Sequence, residues 1–413
     1  MVQPATDRSP SLIGGSCIIA SVCVGAGMLG LPSSGAGAWT LWSSIALVLT
    51  MVVMTLSGWL LLEAFQHYDL RASFNTVTKS LLGPRVNIFS NLMVYFVGGI
   101  LLYAYITSSG LIIQDMAGID SKLASVAFVA VFSLVVWHST RAVDLLSVML
   151  VTFMLLSFLL GISGLAARID LSVLFDTSND GSRYVPYALA MLPVALTSFG
   201  YHHSVASLRA YYGGERKAQK AILGGTLIAL MFYLTWLVSI FGNLPRADFG
   251  PVVAGRGDVN VLLAALAFAI DSERVANIVS AFSAAAILSS FVGVGLGTFD
   301  FMADLFGFRN DRKGRTGTWA ITFIPPLLLS LVAPFGFVLA IGYAGAAAAV
   351  WTCIIPALLA RKSRVLHGTR SGFMVPGGPA VILLVLVFGV LTVAFHFMGL
   401  FGLLPVAELG SSA

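Results

Sequence analysis

Val24-Gly25-Ala26-Gly27-Met28-Leu29-Gly30 interrupts an apolar run from Leu12 to Ser34, and Thr197-Ser198-Phe199-Gly200-Tyr201-His202-His203 interrupts a second, from Tyr187 to Arg209. Glycines and clustered polar side chains inside such runs release backbone N–H and C=O groups. Hydrocarbon cannot satisfy these groups, so they must face protein, water or a solute. The two interruptions lie about half a membrane domain apart. Paired broken spans at matching places in two halves are the best sequence pointer to a solute site at mid-membrane.

The rest of the chain agrees with a membrane setting. Of its 413 residues 58% are hydrophobic and only 10% charged, with mean hydropathy +0.94; a soluble domain carries roughly a quarter charged residues. The polar start, Met1 to Pro10, lacks a basic segment, and the run after it has no small-residue cleavage site, so it reads as an uncleaved span. Cys17, Cys23 and Cys353 lie within apolar runs and serve packing, with no disulfide or metal framework. Spanning-length stretches occur at 12–34, 38–62, 86–114, 122–138, 143–166, 187–209, 218–241, 275–303, 317–333, 337–360 and 379–403, about eleven helices in an all-α integral membrane protein.

The net charge of +5 is a topology signal rather than a sign of nucleic acid. With the N-terminus inside, only Lys122, Arg168, Arg183, Arg246, Arg256 and Arg274 of the 23 Lys and Arg fall outside. That is the bias the positive-inside rule demands. The C-terminus is then extracytoplasmic. Residues 1–11 form a cytoplasmic tail, 12–166 a first repeat of five helices, 167–186 an outer loop and 187–361 a second repeat. Residues 362–413 hold a cytoplasmic loop, the last helix and the C-terminus. Five is odd, so the second repeat starts from the opposite side and is inverted. Val259 to Ile270 is apolar but too short to span and reads as a re-entrant or interfacial cap; Ser73 to Leu82 reads as a surface amphipathic helix.

Gly25, Ala26, Gly27, Met28 and Leu29 either pack helices closely as small residues do or, the reading Pro32 and the matching second break favour, unwind to offer N–H groups to a carboxylate at a half-helix start. The stretch also matches G-x-G-x-x-G, yet no strand precedes it and the next acidic residue is Glu63, so a dinucleotide is excluded and no cofactor is expected. Thr197, Ser198, Phe199, Gly200, Tyr201 and His202 offer carbonyls for an ammonium and rings to wall an apolar side chain. His202 would also suit hydrogen bonding or proton relay, or a structural role joining two helices; His203 reads as structural or solvated. Tyr95, Tyr103 and Tyr105 in the third helix and Tyr343 in the tenth either line the path or pack. The eighth helix carries Ser289-Ser290, Gly293 and Gly297, then Asp300 and Asp304 one turn apart. Intramembrane carboxylates are proton-carrier candidates, and Glu63 joins them, although Asp304 also reads as solvated or ion-paired and Glu63 as structural or as a gate of the inner mouth. Ser289 and Ser290 would matter as metal ligands only for sodium coupling; otherwise no metal is expected. A prenyltransferase-like enzyme would need two DxxxD pairs on one side. The charge bias puts Asp176/Asp180 outside and Asp300/Asp304 inside, so no enzyme is expected.

Several of these motifs together are similar to those of the bacterial hydroxy/aromatic amino acid permeases. They include Val24 to Leu29 with Pro32, Leu61-Leu62-Glu63, Thr197 to His202, Leu296-Gly297-Thr298-Phe299-Asp300, Ala303-Asp304-Leu305-Phe306, and Ile321-Thr322-Phe323 with Pro325-Pro326. Gly342-Tyr343-Ala344-Gly345 brings the chain nearest the tyrosine-specific members, while His203 stands where such permeases tend to carry glycine. The resemblance implies a LeuT-type 5+5 inverted repeat with broken helices 1 and 6, in the bacterial cytoplasmic membrane. It also implies proton symport of an aromatic amino acid, tyrosine foremost, tryptophan or phenylalanine next. The expected partners are that small molecule, protons and membrane lipid. A sodium-coupled symporter and a non-transporting sensor on the same fold are the alternatives.

Overall fold

A computed structural model describes residues 11–70, 72–177, 184–270, 272–334, 336–368 and 372–405, less the side chains of residues 140, 141 and 144. The expectations about the first ten residues, Asp180, Arg183 and the extreme C-terminus therefore lie outside the described residues. Nineteen α-helices follow one another: α1 Leu12–Cys23, α2 Ala26–Leu29, α3 Leu31–Gly35, α4 Trp39–Phe65, α5 Phe74–Leu82, α6 Pro84–Ala117, α7 Ser121–His138, α8 Thr140–Ala166, α9 Leu171–Leu174 and α10 Val185–Ser198. The second half holds α11 Val205–Tyr212, α12 Glu215–Phe241, α13 Gly250–Ala254, α14 Val259–Ile270, α15 Glu273–Phe306, α16 Arg312–Val332, α17 Phe337–Ala349, α18 Ile355–His367 and α19 Gly378–Leu400.

Local chemistry explains where these helices begin and end. Gly83, at φ 86°, turns the chain and Pro84 opens α6 at a position that needs no N–H donor. Gly118, at φ 67°, ends α6 in the left-handed region. Asp120 then caps α7 by accepting from the Lys122 and Leu123 N–H groups. The Ser73 side chain caps α5 through the Thr76 N–H (3.2 Å), so the expected surface helix forms with a sharp start.

Eight helices among the described residues are long and apolar enough to cross a membrane, nine if the bent pair Leu12–Cys23 and Ala26–Gly35 is one span. Two further expected spans fall short of that measure for physical reasons. The break divides the sixth into α10 and α11, and α16 opens with Arg312, Lys313 and Arg315. The Val259–Ile270 run is a helix of 12 residues, too short to span, as expected.

The packing obeys a two-fold rule between the halves. α1 packs along α12 as α10 packs along α4; α15 packs on α8 as α6 packs on α17; α6 contacts α7 as α15 contacts α16. If spans one to five match six to ten, each of these pairs maps onto its counterpart. Both broken spans fall in the group of α1, α4, α10 and α12, against which α6 and α15 stand. Close approach is enforced at Gly345, where an added Cβ would overlap the Pro193 carbonyl, so α17 and α10 meet backbone to backbone.

Candidate functional site

The first broken span unwinds at Val24 and Gly25 and bends by 54° between Leu12–Cys23 and Ala26–Gly35. Gly25 is fully extended (φ −171°), which ends the i→i−4 ladder of α1. The Ala26 N–H donates to Ser290 Oγ at 2.9 Å, reaching across to α15. A Cβ on Gly25 would come within 2.5 Å of that oxygen, so a side chain there would push the Ser290 hydroxyl off the Ala26 N–H. Among the described residues, the Gly25 and Gly27 N–H groups find no backbone carbonyl.

The second span breaks after Ser198. Gly200 and Tyr201 link it to a 3₁₀ turn, His202–Ser204, which runs on into α11. The two breaks meet directly. Ser198 Oγ donates to the Gly27 carbonyl (3.1 Å) as well as to Val194 in its own helix (3.0 Å). The buried Tyr233 of α12 shares its hydroxyl proton between the Cys23 carbonyl (2.7 Å) and the Ser198 carbonyl (2.5 Å), one from each break. Phe199 lies edge-on to the Tyr233 ring at 4.9 Å. Thr197 Oγ1 donates to Pro193 and Ile341 carbonyls, tying this break to α17.

The expected site residues divide into those that gather at the breaks and those that do not. Gly25, Ala26, Gly27, Ser198 and Phe199 gather there, with Met28 and Leu29 buried in the first turn beyond. Ser290 joins them by capping a backbone donor, whereas Ser289 donates to Ala286 in its own helix (3.1 Å). Tyr201 turns away: its hydroxyl donates to the Met54 carbonyl on α4 at 2.8 Å, lying against Gly58. His202 stacks on Tyr201 at 4.7 Å and lies edge-on to Trp351 at 6.2 Å. It is 2% exposed, and neither ring nitrogen finds a hydrogen-bond partner among the described residues. Trp351 belongs to Val350–Ile354, a π-helical turn between α17 and α18. His203 is exposed.

Tyr103 is buried and gives its hydroxyl to Ala333 O (2.9 Å); Tyr95 gives its own to Ile321 O (3.1 Å). Tyr343 lies edge-on to His396 of α19 at 4.7 Å. On α15, Gly293, Gly297, Asp300 and Asp304 form one exposed stripe, and a Cβ on either glycine would touch nothing within 4 Å. An exposed carboxylate flanked by bare glycine backbone suits water far better than lipid. Glu63 is remote from the breaks. Buried at the end of α4, it pairs with Arg364 of α18 through two contacts (2.5 and 2.9 Å) and accepts the Val375 N–H (2.8 Å). Among the described residues no group of three or more His, Cys, Asp or Glu is placed to hold a metal ion.

Sequence reading passed over Tyr233, the residue that bridges both breaks. As one tyrosine in an apolar helix it carries no local signature, and its role follows only from the crossing of α12 behind α1 and α10. Tyr105, on the side of Ser290, was grouped with its neighbours as lining or packing.

The chain resembles known proteins over nearly all its length. It is 44% identical over 399 residues to the tryptophan-specific transport protein of Haemophilus influenzae, covering 94% of this chain and 95% of that one. It is 34% identical to the tyrosine permease of Enterobacter agglomerans, covering 96% and 98%. Among solved structures, a manganese transporter of Eremococcus coleocola superposes with a TM-score of 0.63 at 13% identity, over 98% of this chain and 92% of that one. That likeness concerns the fold alone, an all-α LeuT-type inverted repeat with broken first and sixth spans. Transport proteins, not enzymes, are its relatives. The sequence profile of the tryptophan/tyrosine permease family matches residues 8–396, and the chain belongs to that family.

Proposed function

We propose that this permease imports an aromatic amino acid, tryptophan ahead of tyrosine, by proton symport across the bacterial cytoplasmic membrane. The basic ends of its helices would face the cytoplasm, with the N-terminus inside and the C-terminus outside. The observation that carries the reading is the meeting of the two breaks: backbone donors at Gly25 and Gly27 stand against carbonyls at Cys23 and Ser198. Donors on one side and acceptors on the other match the carboxylate and ammonium of an amino acid. Tyr233 takes one lone pair of each of the Ser198 and Cys23 carbonyls, and an ammonium would take the other. The ring would lie among α6, α10 and α15. Burying about 150–250 Å² of aromatic surface at about 25 cal/mol per Å² contributes roughly 4–6 kcal/mol before ordering costs. Area does not separate indole from phenol; a buried partner for the ring's polar group must.

The order of tryptophan before tyrosine is supported by the names of the relatives, tryptophan-specific transport proteins at 42–44% identity, against a tyrosine permease at 34% and a tyrosine-specific transport system at 30%. Proton rather than sodium coupling is supported by the serines of α15. Ser290 meets an N–H donor and Ser289 its own helix, so neither pairs with a first-span carbonyl to make a cation cage. Asp300, exposed on the glycine stripe, is the proposed proton carrier, with Asp304 below it. One charge moving through roughly 100 mV supplies about 2.3 kcal/mol, enough for roughly fifty-fold accumulation.

The test is uptake of labelled tryptophan by the pure protein in liposomes under an inward proton gradient without sodium, with tyrosine and phenylalanine as competitors. Uphill uptake that collapses with a protonophore is expected, with tryptophan the strongest competitor, and Asp300→Asn should keep binding but lose accumulation. Uptake that requires sodium, or accumulation undiminished in Asp300→Asn, would overturn the coupling. Binding without any uptake would favour a sensor.

A further inference from the structure

One cavity among the described residues lies away from the breaks. It holds about 360 Å³ and lies between the far ends of both broken spans, the short α13 and the helices α17 and α19. Ser33 and Tyr187 line it from the two spans, Val338 and Gly342 from α17, and His396 from α19, with Arg256 beside them. That volume falls in the range of small-molecule sites. Its walls are mainly apolar, yet two of the residues that line it carry a polar atom buried without a partner among the described residues: Ser33 Oγ and His396 Nε2. His396 is 8% exposed, and its ring is held edge-on against Tyr343 at 4.7 Å. An unpaired imidazole nitrogen in an apolar wall costs free energy that a bound donor would recover. Arg256 is exposed at the cavity edge, held there by a left-handed backbone (φ 54°) between α13 and α14.

From this arrangement we infer a second binding site, distinct from the one between the breaks, that takes an aromatic carboxylate. The Arg256 guanidinium receives the carboxylate, the apolar walls of α10 and α17 receive the ring, and His396 Nε2 accepts the ring N–H or hydroxyl proton. No ammonium partner is required. The site therefore takes an aromatic amino acid or the same ring on a simple carboxylic acid, which sets it apart from the central site. Its walls include Ser33, Gly37, Tyr187 and Pro193, so its occupant touches the far halves of both broken spans at once. Alternating access requires these halves to move, and occupancy holds them together; the site is inhibitory.

The inference rests on the proposed aromatic amino acid transport only in the choice of probe. Equilibrium binding to the full-length protein in nanodiscs would use labelled tryptophan and, separately, labelled indole-3-propionate. Two tryptophans per chain are expected and one indole-3-propionate, the latter slowing tryptophan uptake in liposomes. Arg256→Gln and His396→Phe should each weaken indole-3-propionate tenfold or more while leaving one tryptophan bound and uptake intact. Leu339→Trp, which fills the cavity from its wall, should do the same should His396→Phe fail to fold. One tryptophan per chain, with no indole-3-propionate bound and uptake present, would overturn this site alone. No binding of tryptophan at all would instead overturn the transport reading. Indole-3-propionate binding that survives all three substitutions would place the acid elsewhere, and lipid held in the cavity against added indole-3-propionate would make this a lipid site.

Discussion

The two broken spans stand at matching places in the two repeats, yet they are interrupted by different means. In the first, a single extended glycine ends the ladder, and side chains from other helices tend the loose ends: Ser290 at the Ala26 N–H, Tyr233 at the Cys23 carbonyl. In the second, the break is longer and supplies its own polar groups, with Ser198 reaching across to Gly27 and Thr197 to Ile341. Tyr201 leans on α4 behind it, and His202 packs between Tyr201 and Trp351. The first break is therefore passive and open, and the second is an active clamp. Such a difference suits an asymmetric solute: a small anionic group fits against bare N–H groups, and a bulky ring needs shaped walls.

Tyr233→Phe should have the largest effect on this pairing, because the hydroxyl serves both breaks at once. Removing it leaves two buried carbonyls without a donor. Each such loss costs about 1–3 kcal/mol, so uptake should fall a hundredfold or more while the ring still packs on Phe199. Wild-type uptake in that variant would show that the breaks are held independently. Ser290→Ala touches only the first break. Its loss of one hydrogen bond, about 1 kcal/mol, should weaken substrate binding several-fold. An equal loss in the two variants would erase the distinction between clamp and passive break.

Much of this was legible in the chain. The polar clusters around Gly27 and Gly200 pointed to the breaks because hydrocarbon punishes free backbone groups so heavily that few other reasons exist for them. The short Val259–Ile270 helix and the capped Phe74–Leu82 helix followed from run length and from Ser73. What stayed hidden were contacts between helices distant in sequence. Nothing local marks Tyr233 or separates Ser290 from Ser289, since the direction of a hydroxyl depends on which backbone comes near it. Tyr103 and Tyr201 looked like walls of the path, but carbonyls on α4 and after α16 claim their hydroxyls. Glu63 looked like a proton carrier, and its bidentate hold on Arg364 is visible only once α18 returns beside α4.

That same end of the molecule supplies the smallest expected effect and a control for the breaks. Just past α4, the His67 ring stacks on His367 at 4.0 Å, next to the Glu63–Arg364 pair. Partial burial, with the like charge of His367 adding to it, holds the His67 pKa below its ordinary value of 6.5, against smaller opposing influences of Glu215 and Glu63. A base whose pKa is lowered by folding favours the folded state while neutral. Its contribution is present above pH 6.5 and is lost as the pH falls from there through the lower folded-state pKa. His67 is largely exposed, so solvent screens the effect. Thermal stability should drop slightly more between pH 7.5 and 5.5 in the wild type than in His67→Gln. The proton dependence of uptake should be the same in both, because the breaks and Asp300 are untouched. A pH–uptake profile that moved with His67→Gln would shift part of the coupling from the α15 stripe to the junction of α4 and α18, and the contrast between the two breaks would then no longer account for the transport cycle.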